Sequence, residues 1–226
     1  MRTKYRIIKI FLWISIVFSL VNCNRKETVK NTSQGRVGAI KHPVLPKQIK
    51  FFNQDIPMTD IDLKERLDRE LLVNTYFQSS TSLAIKRARR YFPTIERILK
   101  EEDVPDDFKY LCVIESNLSN VTSPAGAGGF WQFMPSTAPE YGIRITSEID
   151  ERNHLEKSTR AACQLIKNNY TLFNDWINAC AAYNRGPGGL MQDMKSQGVR
   201  HFFDTEMNPE TARYVFRIIA LKLIME

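Results

Sequence analysis

Glu115 stands at the end of the apolar run Lys109, Tyr110, Leu111, Val113, Ile114 and just before a stretch rich in Gly and Pro. A carboxyl group at the edge of a core loses hydration, its charged form is disfavoured and its pKa rises, which suits an acid that donates a proton near neutral pH. General acid or base catalysis of that kind is typically worth ~10²–10⁴ in rate. A glutamate at a helix end is more often solvated or salt-bridged, so position alone leaves both roles open. Asp103, Asp106 and Asp107 precede it and Asp150 lies beyond the loop. None of them carries a mark of a second catalytic carboxylate.

The elements that must position Glu115 are helical. Apolar residues at Leu63, Leu67 and Leu71 predict a helix from Asp62 to Phe77, and Tyr91, Ile95 and Leu99 predict one from Leu83 to Leu99, kinked or divided at Pro93. Asp106 is the expected cap of a short helix ending around Glu115-Ser116. Asn117 to Gly129, with Pro124, Gly126, Gly128 and Gly129, reads as a loop able to bring backbone close to a ligand. Further helices are expected over 130–140, from Ser158 to Phe173, from Asp175 to Ala182, and from Asn208-Pro209 to Ile224. No segment alternates as a strand. The fold class is all-α, or α with a minor β-hairpin.

The chain of 226 residues is 43% hydrophobic, enough for one packed domain and a tail. Its formal charge is +7, but Arg2, Lys4, Arg6 and Lys9 supply four of those charges, so the rest of the chain carries about +3. That weakens any nucleic-acid reading, and no nucleic-acid partner is expected. These bases precede an apolar run from Ile10 to Val21, shorter than the ~20 residues a spanning helix needs, which reads as an export signal. Leu20-Val21-Asn22-Cys23 resembles the lipobox of bacterial lipoproteins, with Asn22 departing from the small residue usual there. Lipidation at Cys23 is the expectation.

The remaining cysteines, Cys112, Cys163 and Cys180, show no metal-ligand spacing and lie in apolar helical stretches, where each is expected to be a small buried hydrophobe. His42, His154 and His201 are scattered. No metal and no cofactor is expected. The organisation is therefore a signal peptide over 1–23, a flexible linker over 24–58 and a catalytic domain over 59–226.

Three ordered blocks carry a resemblance. Glu115-Ser116 is followed by Ser123-Pro124-Ala125-Gly126-Ala127-Gly128-Gly129-Phe130-Trp131-Gln132-Phe133-Met134-Pro135, then by Ala181-Ala182-Tyr183-Asn184-Arg185-Gly186-Pro187, then by Glu210-Thr211-Ala212-Arg213-Tyr214-Val215. Together they resemble the soluble-lytic-transglycosylase-like family. The form Gly-Phe-Trp-Gln-Phe-Met-Pro is most similar to its membrane-bound lytic murein transglycosylase D branch.

The resemblance implies a lysozyme-like, goose-type transglycosylase domain that cleaves the β-1,4 bond between N-acetylmuramic acid and N-acetylglucosamine in peptidoglycan. Glu115 would be the acid and base, closing a 1,6-anhydro ring with the muramyl 6-hydroxyl. An intramolecular hydroxyl of high effective molarity needs no second carboxylate, whereas ordinary glycosidases generally use two.

The same resemblance makes Ser123, Phe130, Gln132, Met134, Tyr183, Asn184, Glu210 and Tyr214 the candidate substrate-binding residues. Each has a plainer role beside it: loop capping for Ser123, core packing for Phe130 and Met134, a C-cap for Asn184 and an N-terminal cap for Glu210. Trp131 is assigned to the core, and Asp150-Glu151-Arg152 to a structural salt bridge. The family pattern places Tyr183 near the catalytic carboxyl. The expected partners are peptidoglycan glycan strands and, through the lipid, a membrane; no protein partner is predictable.

The expected location is the cell envelope, in the periplasm, with the outer membrane favoured. Because the last expected helix closes the chain, affinity is expected from the cleft and the tether, without C-terminal glycan-binding repeats. The rival readings are a hydrolytic lysozyme-type muramidase and a non-catalytic peptidoglycan-binding lipoprotein.

Overall fold

The computed structural model describes residues 43–226. The leader and Cys23 lie outside the described residues. Seven α-helices make up most of the described chain: α1 (Ile61–Tyr76), α2 (Gln78–Glu101), α3 (Phe108–Ser116), α4 (Leu155–Phe173), α5 (Trp176–Arg185), α6 (Pro187–Gln197) and α7 (Pro209–Met225). Short 3₁₀ turns occupy Ala138–Tyr141, Glu151–Asn153 and Phe202–Asp204.

Helical spacing explains most of these elements. In α2 the buried positions Thr81, Ala84, Ala88, Ile95, Ile98 and Leu99 form one stripe. The helix runs unbroken through Pro93, where a kink or division is the expectation from sequence. Pro93 and Arg89, whose carbonyl loses its partner, both lie on the exposed side, where water can satisfy that group. Side-chain oxygens of Asp60, Asp175 and Asn208 cap α1, α5 and α7.

α3 is the buried centre. Phe108, Tyr110, Leu111, Cys112, Val113 and Ser116 are all buried, and α2 and α7 pack against it. α1 lies along α7, and α5 contacts α4, α6 and α7. Cys112, Cys163 and Cys180 are free and buried, the small hydrophobes that their apolar neighbours predicted.

Three sequence expectations need correction. The stretch 49–56 is part of the core, not of a linker: Ile49, Phe51, Phe52 and Ile56 are buried. Its hairpin pairs β1 (Lys50–Phe51) with β2 (Gln54–Asp55) through a turn in which Phe52 and Asn53 both have positive φ. The Phe52 ring stacks on Phe108 with centroids 4.2 Å apart, and its amide donates to Asp107 Oδ2 at 2.7 Å. Lys222 Nζ pairs with the other Asp107 oxygen at 2.6 Å, so the hairpin is joined to the start of α3 and the end of α7.

The helix expected over 130–140 is absent. Gly128 instead bridges Thr122 and Phe133 in a small antiparallel fold, and only Ala138–Tyr141 is helical, as a 3₁₀ turn. Gln132 has φ +49° and Pro135 lacks an amide proton, both contrary to an α-helix. Conversely, no helix is expected from sequence between Ala182 and Asn208, yet Pro187 begins α6: Gly186 at φ +77° makes the junction, and Pro187 occupies the first turn, where its missing donor costs nothing.

Candidate active site

Glu115 lies one turn beyond Leu111 and Cys112, both fully buried, so its side chain leaves α3 on the core side and points toward α7. There the buried Tyr214 donates its hydroxyl to Glu115 Oε1. Burial pushes the Glu115 carboxyl up to about 7, against the lowering effects of the Tyr214 hydrogen bond and the Arg217 charge, while Glu210 adds to the rise. Such a group is divided between acid and carboxylate at neutral pH, the condition for giving and then retrieving a proton.

The thiol and hydroxyl groups around it are neutral. Burial, and then the Glu115 charge itself, push the Cys112 and Cys180 thiols and the Tyr183 hydroxyl well above their ordinary values. None of these groups ionises beside the glutamate.

The chain reverses immediately after α3. Asn117 at φ +51° and Leu118 at φ +53° are both left-handed, and such strain in a buried leucine persists only where the surroundings impose it. The loop that follows is closed on itself by Gly129 N to Val121 O at 3.0 Å, Ser123 N to Ala127 O at 2.8 Å, and paired Gly128–Phe133 bonds.

Arg152 clamps this loop from behind. Its Nη1 donates to Gly126 O at 2.7 Å and Phe133 O at 3.0 Å, while Asp150 pairs with the rest of the guanidinium. A Cβ on Gly128 would lie 2.6 Å from the Arg152 guanidinium carbon, and one on Gly129 would lie 1.9 Å from the Arg152 carbonyl oxygen. The two glycines are thus required by close approach, and at Gly129 also by a φ of +75°.

The candidates divide into groups. Tyr214 touches Glu115, and Tyr183 and Glu210 lie within its electrostatic reach. Tyr183 directs its hydroxyl to the Trp131 carbonyl at 2.8 Å, so it ties the glycine loop to α5 beside the glutamate. Gln132 donates its amide to Val121 O at 3.0 Å and Gly129 O at 2.9 Å, which leaves its side-chain oxygen as an acceptor. Met134 is 39% exposed on the same loop.

Ser123 accepts from the Ala127 amide at 3.1 Å, a contact within the loop. Phe130 is buried edge-on against Tyr91, and Trp131 is fully buried with its indole donating to Thr159 Oγ1 at 2.9 Å. Asn184 is exposed and accepts from Thr211 Oγ1 at 3.2 Å; the C-cap of α5 is Gly186 instead. Glu210 is exposed in the first turn of α7, where Asn208 supplies the cap. Arg217 is the charged neighbour that sequence reading missed. Its signal was available, since it stands three positions beyond Tyr214 on one helix face.

An all-α, lysozyme-like domain centred on one protonatable glutamate is the class that fold and site define. Residues 92–204 match the family described as the Transglycosylase SLT domain, and the chain belongs to that family. Among curated relatives, membrane-bound lytic murein transglycosylase D of Escherichia coli strain K12 is 31% identical over 177 residues, covering 76% of this chain. The chain spans only 38% of that relative's length. Among solved structures, the 70 kDa soluble lytic transglycosylase SLT70 of Escherichia coli is similar in fold, with a TM-score of 0.52 at 21% identity over 69% of this chain and 29% of its own.

Proposed function

We propose that the protein is a peptidoglycan lytic transglycosylase, which cleaves the β-1,4 bond between N-acetylmuramic acid and N-acetylglucosamine and leaves a 1,6-anhydro-muramyl end. The observation that carries this reading is the half-buried Glu115 with its pKa near 7 and its Oε1 held by Tyr214. Membership of the transglycosylase domain family supports the same chemistry.

In the first step the protonated Glu115 gives its proton to the glycosidic oxygen as the bond from the muramyl anomeric carbon to that oxygen breaks. In the second, the Glu115 carboxylate takes the proton of the muramyl 6-hydroxyl as that oxygen bonds to the anomeric carbon. Glu115 ends as it began, and no water is consumed. The Tyr214 hydrogen bond stabilises the carboxylate between the two steps, and a hydroxyl already on the sugar needs no separate base to recruit it.

On this reading Gln132, Met134, Asn184 and Glu210, all with accessible polar or apolar atoms near the loop or at the ends of α5 and α7, contact the glycan. Tyr183 positions the loop through Trp131. Ser123 and Phe130 act by shaping the loop from within. A signal peptide over 1–23 would direct export, and a lipid on Cys23 would hold the enzyme at a membrane of the cell envelope, facing the wall.

Digestion of purified sacculi, followed by mass spectrometry of the soluble products, tests the activity. The expected products are anhydro-muropeptides, lighter by one water than their reducing counterparts, and Glu115→Gln should release none. Reducing muramyl ends as the main product would instead establish a hydrolytic muramidase.

A further inference from the structure

Beside the α3–α7 contact that holds Glu115 lies a hollow of about 450 Å³, its open mouth included, between the start of α2, the end of α3 and the outer half of α7. Asn74, Ser80 and Asn117 contribute amide and hydroxyl groups to it, and Phe77, 64% exposed, stands at its edge. Arg217 is the one charged side chain in its lining; no Asp or Glu lines it.

The polar groups around Arg217 are already engaged with one another. Asn117 Nδ2 donates to Ser80 Oγ at 3.3 Å, Asn74 Nδ2 donates to Glu70 O at 2.7 Å, and Arg87 Nη1 donates to Asn117 O at 2.9 Å. Arg217 differs. Among the described residues its guanidinium makes no hydrogen bond and no ion pair, although the residue is half-buried and no fully buried side-chain nitrogen lacks a partner. Its nitrogens are therefore reached by solvent, and the residue lines the hollow.

A fork of five donors held partly out of water, with no acid in the lining of the hollow to pair with it, is complementary to a planar anion. Its charge also reaches Glu115, so an anion bound there would be sensed at the proton-transfer site.

We propose that Arg217 is a substrate-binding residue that captures a carboxylate of the glycan strand in this hollow. The proposal rests on the reading of peptidoglycan as substrate. That polymer presents carboxylates from two sources, the stem peptides and the muramyl lactyl group once its peptide has been removed. Either satisfies the same chemistry.

The test is the affinity of full-length Glu115→Gln, which leaves strands intact, for three soluble preparations: peptide-bearing strands, the same strands with carboxyls amidated by carbodiimide, and strands stripped of peptides by an amidase. Adding Arg217→Gln should weaken binding of peptide-bearing strands about 10-fold to 100-fold, the range for a charge-assisted pair. Amidation should weaken the arginine-containing protein to a similar extent and should cost the Arg217→Gln protein little more, as a double-mutant cycle requires for partners in contact. Arg217→Lys, which keeps the charge and loses the fork, should lie between.

An effect of Arg217→Gln on peptide-bearing strands assigns the stem-peptide carboxylate, because the lactyl group is amide-linked there; an equal effect on stripped strands would show that the freed lactyl carboxylate fits the same fork, and its absence there would restrict the site to the stem peptide. Full additivity of the two changes, or affinity indifferent to amidation, would overturn the proposal. Because binding is read without cleavage, failure of the wild type to yield anhydro products would refute the transglycosylase reading while leaving this coupling to stand or fall separately.

Discussion

The Tyr214 hydroxyl and Glu115 Oε1 form a hydrogen bond that joins the last turn of α3 to the middle of α7, 99 residues apart in sequence. The bond favours the carboxylate, while burial favours the acid, and burial prevails. Removing the hydroxyl should therefore raise the Glu115 pKa above about 7. Tyr214→Phe is expected to move the limb of the rate–pH profile set by Glu115 to higher pH and to lower kcat at neutral pH about tenfold to a hundredfold, the value of one hydrogen bond to a charged group. A profile that keeps its limb would remove Tyr214 from the proton-transfer step.

Stability should record the same tension. Glu115 ionises at about 7 in the folded protein and near the ordinary 4.5 when unfolded, so the folded state binds more protons over that window. Its contribution is fully present below the unfolded value and is lost as pH rises toward the folded one, by linkage at most about 3 kcal/mol. Glu115→Gln removes this loss. The variant should melt several degrees above wild type at pH 8, with a smaller difference at pH 4, by thermal denaturation followed in circular dichroism.

The glycine loop should tolerate almost nothing at its contact with Arg152. Gly129→Ala would place a methyl 1.9 Å from the Arg152 carbonyl oxygen at a φ that disfavours any side chain. Arg152→Ala would leave the Gly126 carbonyl without its donor, the Phe133 carbonyl with the Gly128 amide alone, and Asp150 without its partner. Each is expected to cost about 3 kcal/mol or more in a denaturant melt and to abolish activity with the loop. Native stability in either variant would show that the clamp does not hold the loop.

Truncation checks where the packed domain begins. A chain starting at residue 43 should fold. One starting at residue 59 loses the Phe52–Phe108 stack and the Phe52 amide on Asp107, and exposes core surface once covered by Phe51 and Ile56. It should unfold at markedly lower denaturant concentration.

The long helices were readable because their buried faces repeat every three or four residues: α1, α2, α4 and α7 appear near the expected positions. What was not readable depended on contacts distant in the chain. A two-residue strand has no periodicity, so Phe51 and Phe52 looked like linker until Phe108 and Asp107 came beside them. The course of 128–135 is dictated by Arg152, whose guanidinium meets Phe133 from 19 residues away.

The site was legible in its residues and less so in their geometry. Glu115 and Tyr214 stood in matched blocks, but nothing in sequence showed that Tyr214 would reach the carboxyl while the Tyr183 hydroxyl turned to Trp131. Arg217 lies outside the matched blocks, and only its helical register with Tyr214 places it on the same face.

The central claim is that Glu115 alone moves the proton and that the incoming oxygen belongs to the substrate. Digestion of sacculi in water enriched in heavy oxygen tests it most directly, with isotope content of the newly formed muramyl ends read by mass spectrometry. The expected result is anhydro ends without heavy oxygen, formed by wild type and not by Glu115→Gln. Heavy oxygen at the anomeric position of wild-type products, or undiminished cleavage by the variant, would contradict it.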